Sequence, residues 1–325
     1  MLTHFNIIKI GKWRSFSSLK FLNVVSLLLV GLLASDCQTT EKDPAHVVFV
    51  TGDDEYRSEI TMPLMAKILS EQYGFKCSVL YASIPESGER IPQYRQNIDG
   101  LEILKDADLA VFFLRFRRLP DEQMQHILDY VNSGKPMLGL RTSTHAFQFP
   151  EGHKYHHLND DFGIDVFGQK WIHHPGGSTR IVKNLADHPT LRGIEDEFWM
   201  LGDLYEVVPL HGDCVPLMTG YALEGHTEFV KDENGKEVIN RNRIPGRYPP
   251  SPVAWVKTYK NARVFFTTMG HPKDFERIQV RRLLVNAVHW ALGREDEIPP
   301  EGFNADIDEN FVAPDLSEAN EYLVE

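Results

Sequence analysis

The chain has 325 residues, 25% of them charged and 42% hydrophobic, with 23 glycines and 19 prolines; this composition excludes collagen-like, coiled-coil, disordered and multi-span membrane classes. Its 34 basic against 46 acidic side chains leave a formal charge of -12, which repels phosphate backbones and argues against nucleic acid as a partner. Cys37, Cys77 and Cys214 are too scattered for a disulfide framework or a zinc knuckle, so the fold must stand on packing alone.

Residues 1–20 carry Lys9, Lys12, Arg14 and Lys20 without an acid, and the run from Phe21 to Ala34 is uncharged. A basic segment followed by 14 apolar or small residues is too short to cross a bilayer, which needs about 20, and reads as a signal peptide over 1–36. Cys37 stands where a lipoprotein signal places its lipidated cysteine, although Asp36 before it is atypical. The expectation is an exported protein, in the periplasm or at the cell surface, with membrane attachment through a lipid on Cys37. A polar linker, 37–45, follows.

His46 to Thr51 (HVVFVT) is apolar without alternation and predicts a strand buried on both faces, hence parallel sheet. A polar turn (GDDEYR) leads into a helix predicted over 58–73, where Ile60, Leu64, Ile68 and Leu69 share one face. The unit recurs: strand 76–81, short helix 101–105, strand 109–114, helix 121–132, strand 136–140. Such alternation predicts an α/β fold, a doubly wound, mostly parallel sheet flanked by helices. The second half is less regular, with strands expected at 178–182, 205–208, 215–219, 253–259 and 263–268, a polar excursion loop at 231–252, and a closing helix at 275–292. Residues 295–325 hold eleven acids and no base; the segment 294–325 reads as an extended tail docked through Phe303, Phe311 and Tyr322.

In an open α/β sheet ligands gather beyond the carboxyl ends of the strands. The loops there are polar: Asp53, Asp54, Glu55, Tyr56 and Arg57 after the first strand, Arg115, Arg117 and Arg118 after the third, Arg141-Thr142-Ser143-Thr144-His145 after the fourth, and Gly270-His271-Pro272 after the last. Six of the 14 histidines fall between His145 and His174. Imidazole suits proton relay or metal binding, but neither H-E-x-x-H nor H-x-H spacing appears, so no metal site follows from spacing. The turn after the fourth strand lacks the G-x-S-x-G or G-x-C-x-G of a nucleophile elbow; Ser143 and Thr144 read as turn hydroxyls.

Five ordered segments, VVFVTGDDEYRS, GKPMLGLRTSTHAF, WIHHPGG, DEFWMLGDLYEV and ARVFFTTMGHP, resemble the ThuA-like family, named for trehalose utilisation, over residues 46–293. The resemblance implies a class I glutamine amidotransferase-like, flavodoxin-like fold without the glutaminase triad, and a role in breaking down disaccharides and their keto-derivatives. It places the family's histidines on His145, His174 and His271 and its acid on Glu206. The reading that follows is an exported carbohydrate-processing protein. Acid/base work falls to His145, Glu206 and His271, and substrate contacts to Asp54, Glu55, Tyr56, Arg57, Arg141, Thr142, Trp171 and His174. A small sugar is the expected ligand, with a sugar oxidoreductase as the expected pathway partner; the residues name no cofactor. A non-catalytic sugar-binding module on the same fold and a metal-dependent hydrolase are the competing readings.

Overall fold

The structure, a computed structural model, describes residues 43–174, 177–185, 187–223, 229–231, 233, 237–239 and 248–316. The proposed signal segment, Cys37, Tyr322 and much of the predicted 231–252 loop lie outside these residues.

β1 (His46–Gly52) is buried throughout, and its side chains divide by parity. Val47 and Phe49 join one apolar cluster with α1 (Ser58–Tyr73) and the closing helix, while Val48 and Val50 join a second with α2 (Asp121–Asn132). Two cores, one on each face of a single sheet, are the physical content of a doubly wound fold. α1 ends at Gly74, whose φ of 68° lets its N–H turn back to the carbonyls of Leu69 and Ser70. β2 (Lys76–Leu80), β3 (Leu109–Leu114) and β4 (Met137–Leu140) follow. After a short helix α3 (Leu158–Asp161), which runs into a π turn at Phe162–Phe167, come β5 (Thr179–Lys183) and β6 (Glu197–Met200). β7 (Val215–Ala222) is followed by a separate two-stranded hairpin, β8 (Phe229–Lys231) with β9 (Glu237–Ile239). β10 (Ser251–Tyr259), β11 (Ala262–Thr267) and α4 (Ile278–Ala291) complete the order.

The main sheet has nine strands in the order β2-β1-β3-β4-β11-β10-β7-β5-β6. Its first five are mutually parallel, and β10, β7, β5 and β6 extend it by antiparallel pairing. The sheet is thus mixed and mostly parallel. Gly139 in β4 is required by close approach, since a Cβ there would lie 2.5 Å from Phe167 and 2.6 Å from Phe266.

One strand sits elsewhere than expected. Residues 205–208 make only a single bridge, between Glu206 and His173, and Pro209 beyond them has no N–H to extend a ladder. The strand lies instead at Glu197–Met200, whose alternating exposure suits the sheet edge beside β5. The closing helix is also divided: a 3₁₀ turn, Pro272–Glu276, precedes α4. Among the described residues no helix is long and apolar enough to cross a membrane.

Candidate active site

β1, β3, β4 and β11 run parallel, so the loops leaving them share one edge of the sheet. At its centre is the turn after β4, a buried 3₁₀ segment from Arg141 to His145. Arg141 holds a φ of 40°, left-handed backbone that a non-glycine side chain adopts only when its surroundings over-determine it. They do so here. Its guanidinium donates to the carbonyls of Thr268 at 2.9 Å and Asp203 at 3.1 Å and to the Tyr56 hydroxyl at 3.1 Å. It also lies over the Tyr56 and Tyr205 rings, 4.1 and 4.3 Å from their centroids. A strained strand-to-turn corner is where a nucleophile elbow would carry its cysteine or serine; this chain carries a pinned cation there.

Around that cation the rings form a chain. His145 stands 5.4 Å from Trp171 and 6.2 Å from Tyr205, centroid to centroid. His174 lies 5.6 Å from Trp171 and 6.2 Å from Tyr205, and His271 lies 6.1 Å from Tyr56. Trp171 is half-buried, and its indole N–H is buried without a hydrogen-bond partner. His145, Trp171, His174 and, through Tyr56 and Arg141, His271 are thereby gathered on one rim. Glu206 is attached differently: its N–H donates to the His173 carbonyl at 2.7 Å and its carbonyl accepts from Ile172. Its neighbour Tyr205 packs against His145, Trp171 and His174.

Burial sets the electrostatics of His145 and His271. Burial, reinforced by the Arg115 and Arg141 cations, lowers the His145 pKa to about 3. Burial with Arg141 and Lys273 lowers that of His271 to about 3. Both imidazoles are therefore neutral at ordinary pH: each can accept a proton or donate an N–H, but neither is a ready cationic acid. Lys273 donates its main-chain N–H to His271 Nδ1 at 3.2 Å; a neutral ring with an accepting Nδ1 carries its hydrogen on Nε2, so His271 presents a donor.

The first loop contributes two residues. Tyr56 reaches the ring cluster, and Thr142 donates to Asp53 Oδ1 at 3.2 Å. Burial, with the Asp54 charge beside it, pushes the Asp53 carboxyl up to about 7, and burial likewise raises that of Asp274, which accepts from the Gly270 and His271 N–H groups, to about 6. Asp54 is enclosed by Arg95 at 2.6 Å, Arg115 at 2.7 Å and Arg117 at 3.8 Å. Desolvation raises its pKa, but the three guanidiniums, Arg117 foremost, outweigh that and hold it below the usual range. Glu55 pairs with Arg115 at 3.0 Å and Arg57 with Glu59 at 2.6 Å. These three predicted ligand contacts thus sit in ion pairs that shape the loop. Among the described residues no three His, Cys, Asp or Glu side chains converge as metal ligands.

Tyr205 escaped the sequence analysis, and Asp53 was noted there in its loop but given no role. Tyr205 lies in what read as a strand, where an aromatic signals core. Asp53 directly follows β1, a position that marks it, but its neighbours Asp54 to Arg57 drew the same argument. Among the described residues both thiols, Cys77 and Cys214, lie outside the elbow: burial pushes the Cys77 pKa up to about 12 and raises that of Cys214.

A crystal structure of a ThuA-like protein from Bacteroides uniformis is similar to 80% of this chain and 96% of its own, at 16% identity and a TM-score of 0.53. One from Parabacteroides merdae covers 77% of this chain and 90% of its own, at 18% identity and a TM-score of 0.47. No curated protein matches the chain. The ThuA family model, described as trehalose utilisation, matches residues 47–291. With three quarters of its length under that model, the chain belongs to the ThuA family.

Proposed function

We propose that the rim formed by His145, Trp171, His174, Tyr205 and His271 binds a sugar, a disaccharide or its keto form, and transfers a proton on it. His145 is the acceptor and the Nε2–H of His271 steadies the oxygen on which charge develops. The observation that carries this reading is the pairing of two histidines, held neutral by burial and by the cations beside them, with a half-buried tryptophan whose indole N–H has no partner. Aromatic faces and neutral donors and acceptors are what a polyhydroxylated, uncharged ligand needs. The ThuA family supplies the carbohydrate context.

The test is His145→Ala on a panel of disaccharides and their 3-keto forms. Affinity should stay within a few-fold while turnover falls by about 10²-fold or more. Turnover equal to wild type would contradict the reading, and binding without turnover in both proteins would identify a sugar-binding module. The same reading places the mature protein outside the cytoplasm, supported by the basic segment and 14-residue apolar run before Cys37. Mass spectrometry should find mature protein beginning at Cys37; an intact Met1 on the cellular protein contradicts it.

A further inference from the structure

We propose that Thr144 is a positioning residue that sets the tautomer of His145, holding the hydrogen on Nδ1 and leaving the Nε2 lone pair to take a proton. The inference deepens the proposed function, since it says which nitrogen of His145 is the base and what makes it so.

One hydroxyl has two neighbours. Thr144 Oγ1 lies 3.1 Å from the Arg141 carbonyl and 3.1 Å from His145 Nδ1. A carbonyl oxygen has no hydrogen to give, so the single Thr144 proton must go to it. The hydroxyl oxygen can then serve His145 only as an acceptor, and Nδ1 must carry the hydrogen. Any other assignment sets two lone pairs against each other at one of these contacts. Because the ring is neutral, Nε2 is left without a hydrogen, and it makes no hydrogen bond among the described residues. Thr144 is 0% exposed, so water does not compete for either contact.

The neighbouring hydroxyl shows the contrast. Ser143 Oγ donates to the Phe112 carbonyl at 2.8 Å and accepts from the Leu114 N–H at 3.1 Å, closing the turn onto β3. Thr144 instead ties the carbonyl of the strained Arg141 to the histidine. His271 takes the opposite arrangement, since the Lys273 N–H at Nδ1 leaves its hydrogen on Nε2. The rim thus offers one bare imidazole nitrogen, at His145, and one imidazole N–H, at His271.

Ring-nitrogen NMR of the full chain labelled with 15N-histidine tests the assignment without any ligand. The His145 signals are identified by their loss in His145→Gln. In wild type between about pH 6 and pH 8 they should show the Nδ1–H pattern of a neutral ring. In Thr144→Val that pattern should give way to Nε2–H, because the buried nitrogen has lost its acceptor; Thr144→Ser should restore it. An Nε2–H or doubly protonated His145 in wild type overturns the proposal, as does an unchanged Nδ1–H pattern in Thr144→Val. Should Thr144→Val not fold, Thr144→Ala makes the same deletion and wild type alone still decides the tautomer. The two readings fail separately: an Nδ1–H ring together with unimpaired turnover in His145→Ala would remove the proposed function and leave the tautomer assignment standing.

Discussion

His145 and His271 make opposite demands on folding and on chemistry. Keeping an imidazole neutral in the fold while the unfolded chain lets it protonate means that the unfolded state binds more protons once pH falls below about 6.5. Both folded pKa values are depressed to about 3, so the stability these two groups contribute should decline as pH drops from 6.5 toward 3. Each group contributes a slope of about 1.4 kcal/mol per pH unit at most. Denaturant titrations across that range should show a shallower decline in His145→Gln and His271→Gln; an unchanged slope in both would mean that these rings are already charged in the fold. Asp53 acts with the other sign. Its carboxyl is raised to about 7, so the folded state holds the extra proton between the ordinary carboxylate pKa and 7, and stability is lost as pH rises through that window. The two effects oppose each other between about pH 4 and 6.5, so Asp53→Asn should remove the loss on raising pH through that window and steepen the net decline on acidification.

At the scale of elements, the tail shows how an acidic segment without periodicity acquires a fixed course. Its main-chain carbonyls are taken by cationic and polar side chains of the helices it crosses: Arg282 at Phe303 (2.9 Å), Tyr73 at Asn304 (2.5 Å), Arg281 at Ala305 (2.7 Å) and Gln72 at Asp306 (3.0 Å). The Phe303 ring rests 4.0 Å from His289 and 4.7 Å from Tyr73. Where the tail passes the Arg192–Gly193 turn the two backbones touch, and a Cβ on Gly302, at φ 72°, would overlap the Arg192 carbonyl. Gly302→Ala should therefore cost about 1–3 kcal/mol or displace the tail; a melting temperature equal to wild type would show that the crossing is loose. Phe303 was legible as a docking point because a lone aromatic in an acidic run has few other uses. Phe311 reaches the groove between the tail and α1, while Tyr322 lies outside the described residues. The parallel half of the sheet was equally legible, since strands such as LAVFFL have both faces buried and cannot be anything solvated. The antiparallel extension was harder: residues 205–208 have high β propensity, but their pairing partner is one residue, His173, and propensity does not choose partners. For the same reason the sequence could mark Glu206 but could not show that Tyr205 packs against His145, Trp171 and His174.

Taken as a whole, the molecule is an acidic protein, -12 in formal charge, that keeps a guanidinium at the centre of its candidate site and spends the neighbouring charges on one another. Asp54 and Glu55 answer Arg95 and Arg115, leaving the ring-lined rim with neutral hydrogen-bonding groups and aromatic faces. Under the proposed function, that distribution suits an uncharged, polyhydroxylated ligand. A second groove of about 470 Å³, between β6 and the start of α4, also offers an aromatic, Trp199, but surrounds it with Glu195, Glu197 and Glu276. The two sites can be told apart directly. Isothermal titration calorimetry of the tightest-binding member of the sugar panel should be run on wild type, Trp171→Ala and Trp199→Ala. A sugar held on the histidine rim should lose about tenfold or more in affinity with Trp171→Ala, as removal of an aromatic platform does, and should be indifferent to Trp199→Ala. Affinity unchanged by Trp171→Ala but lost with Trp199→Ala would contradict the placement of the site.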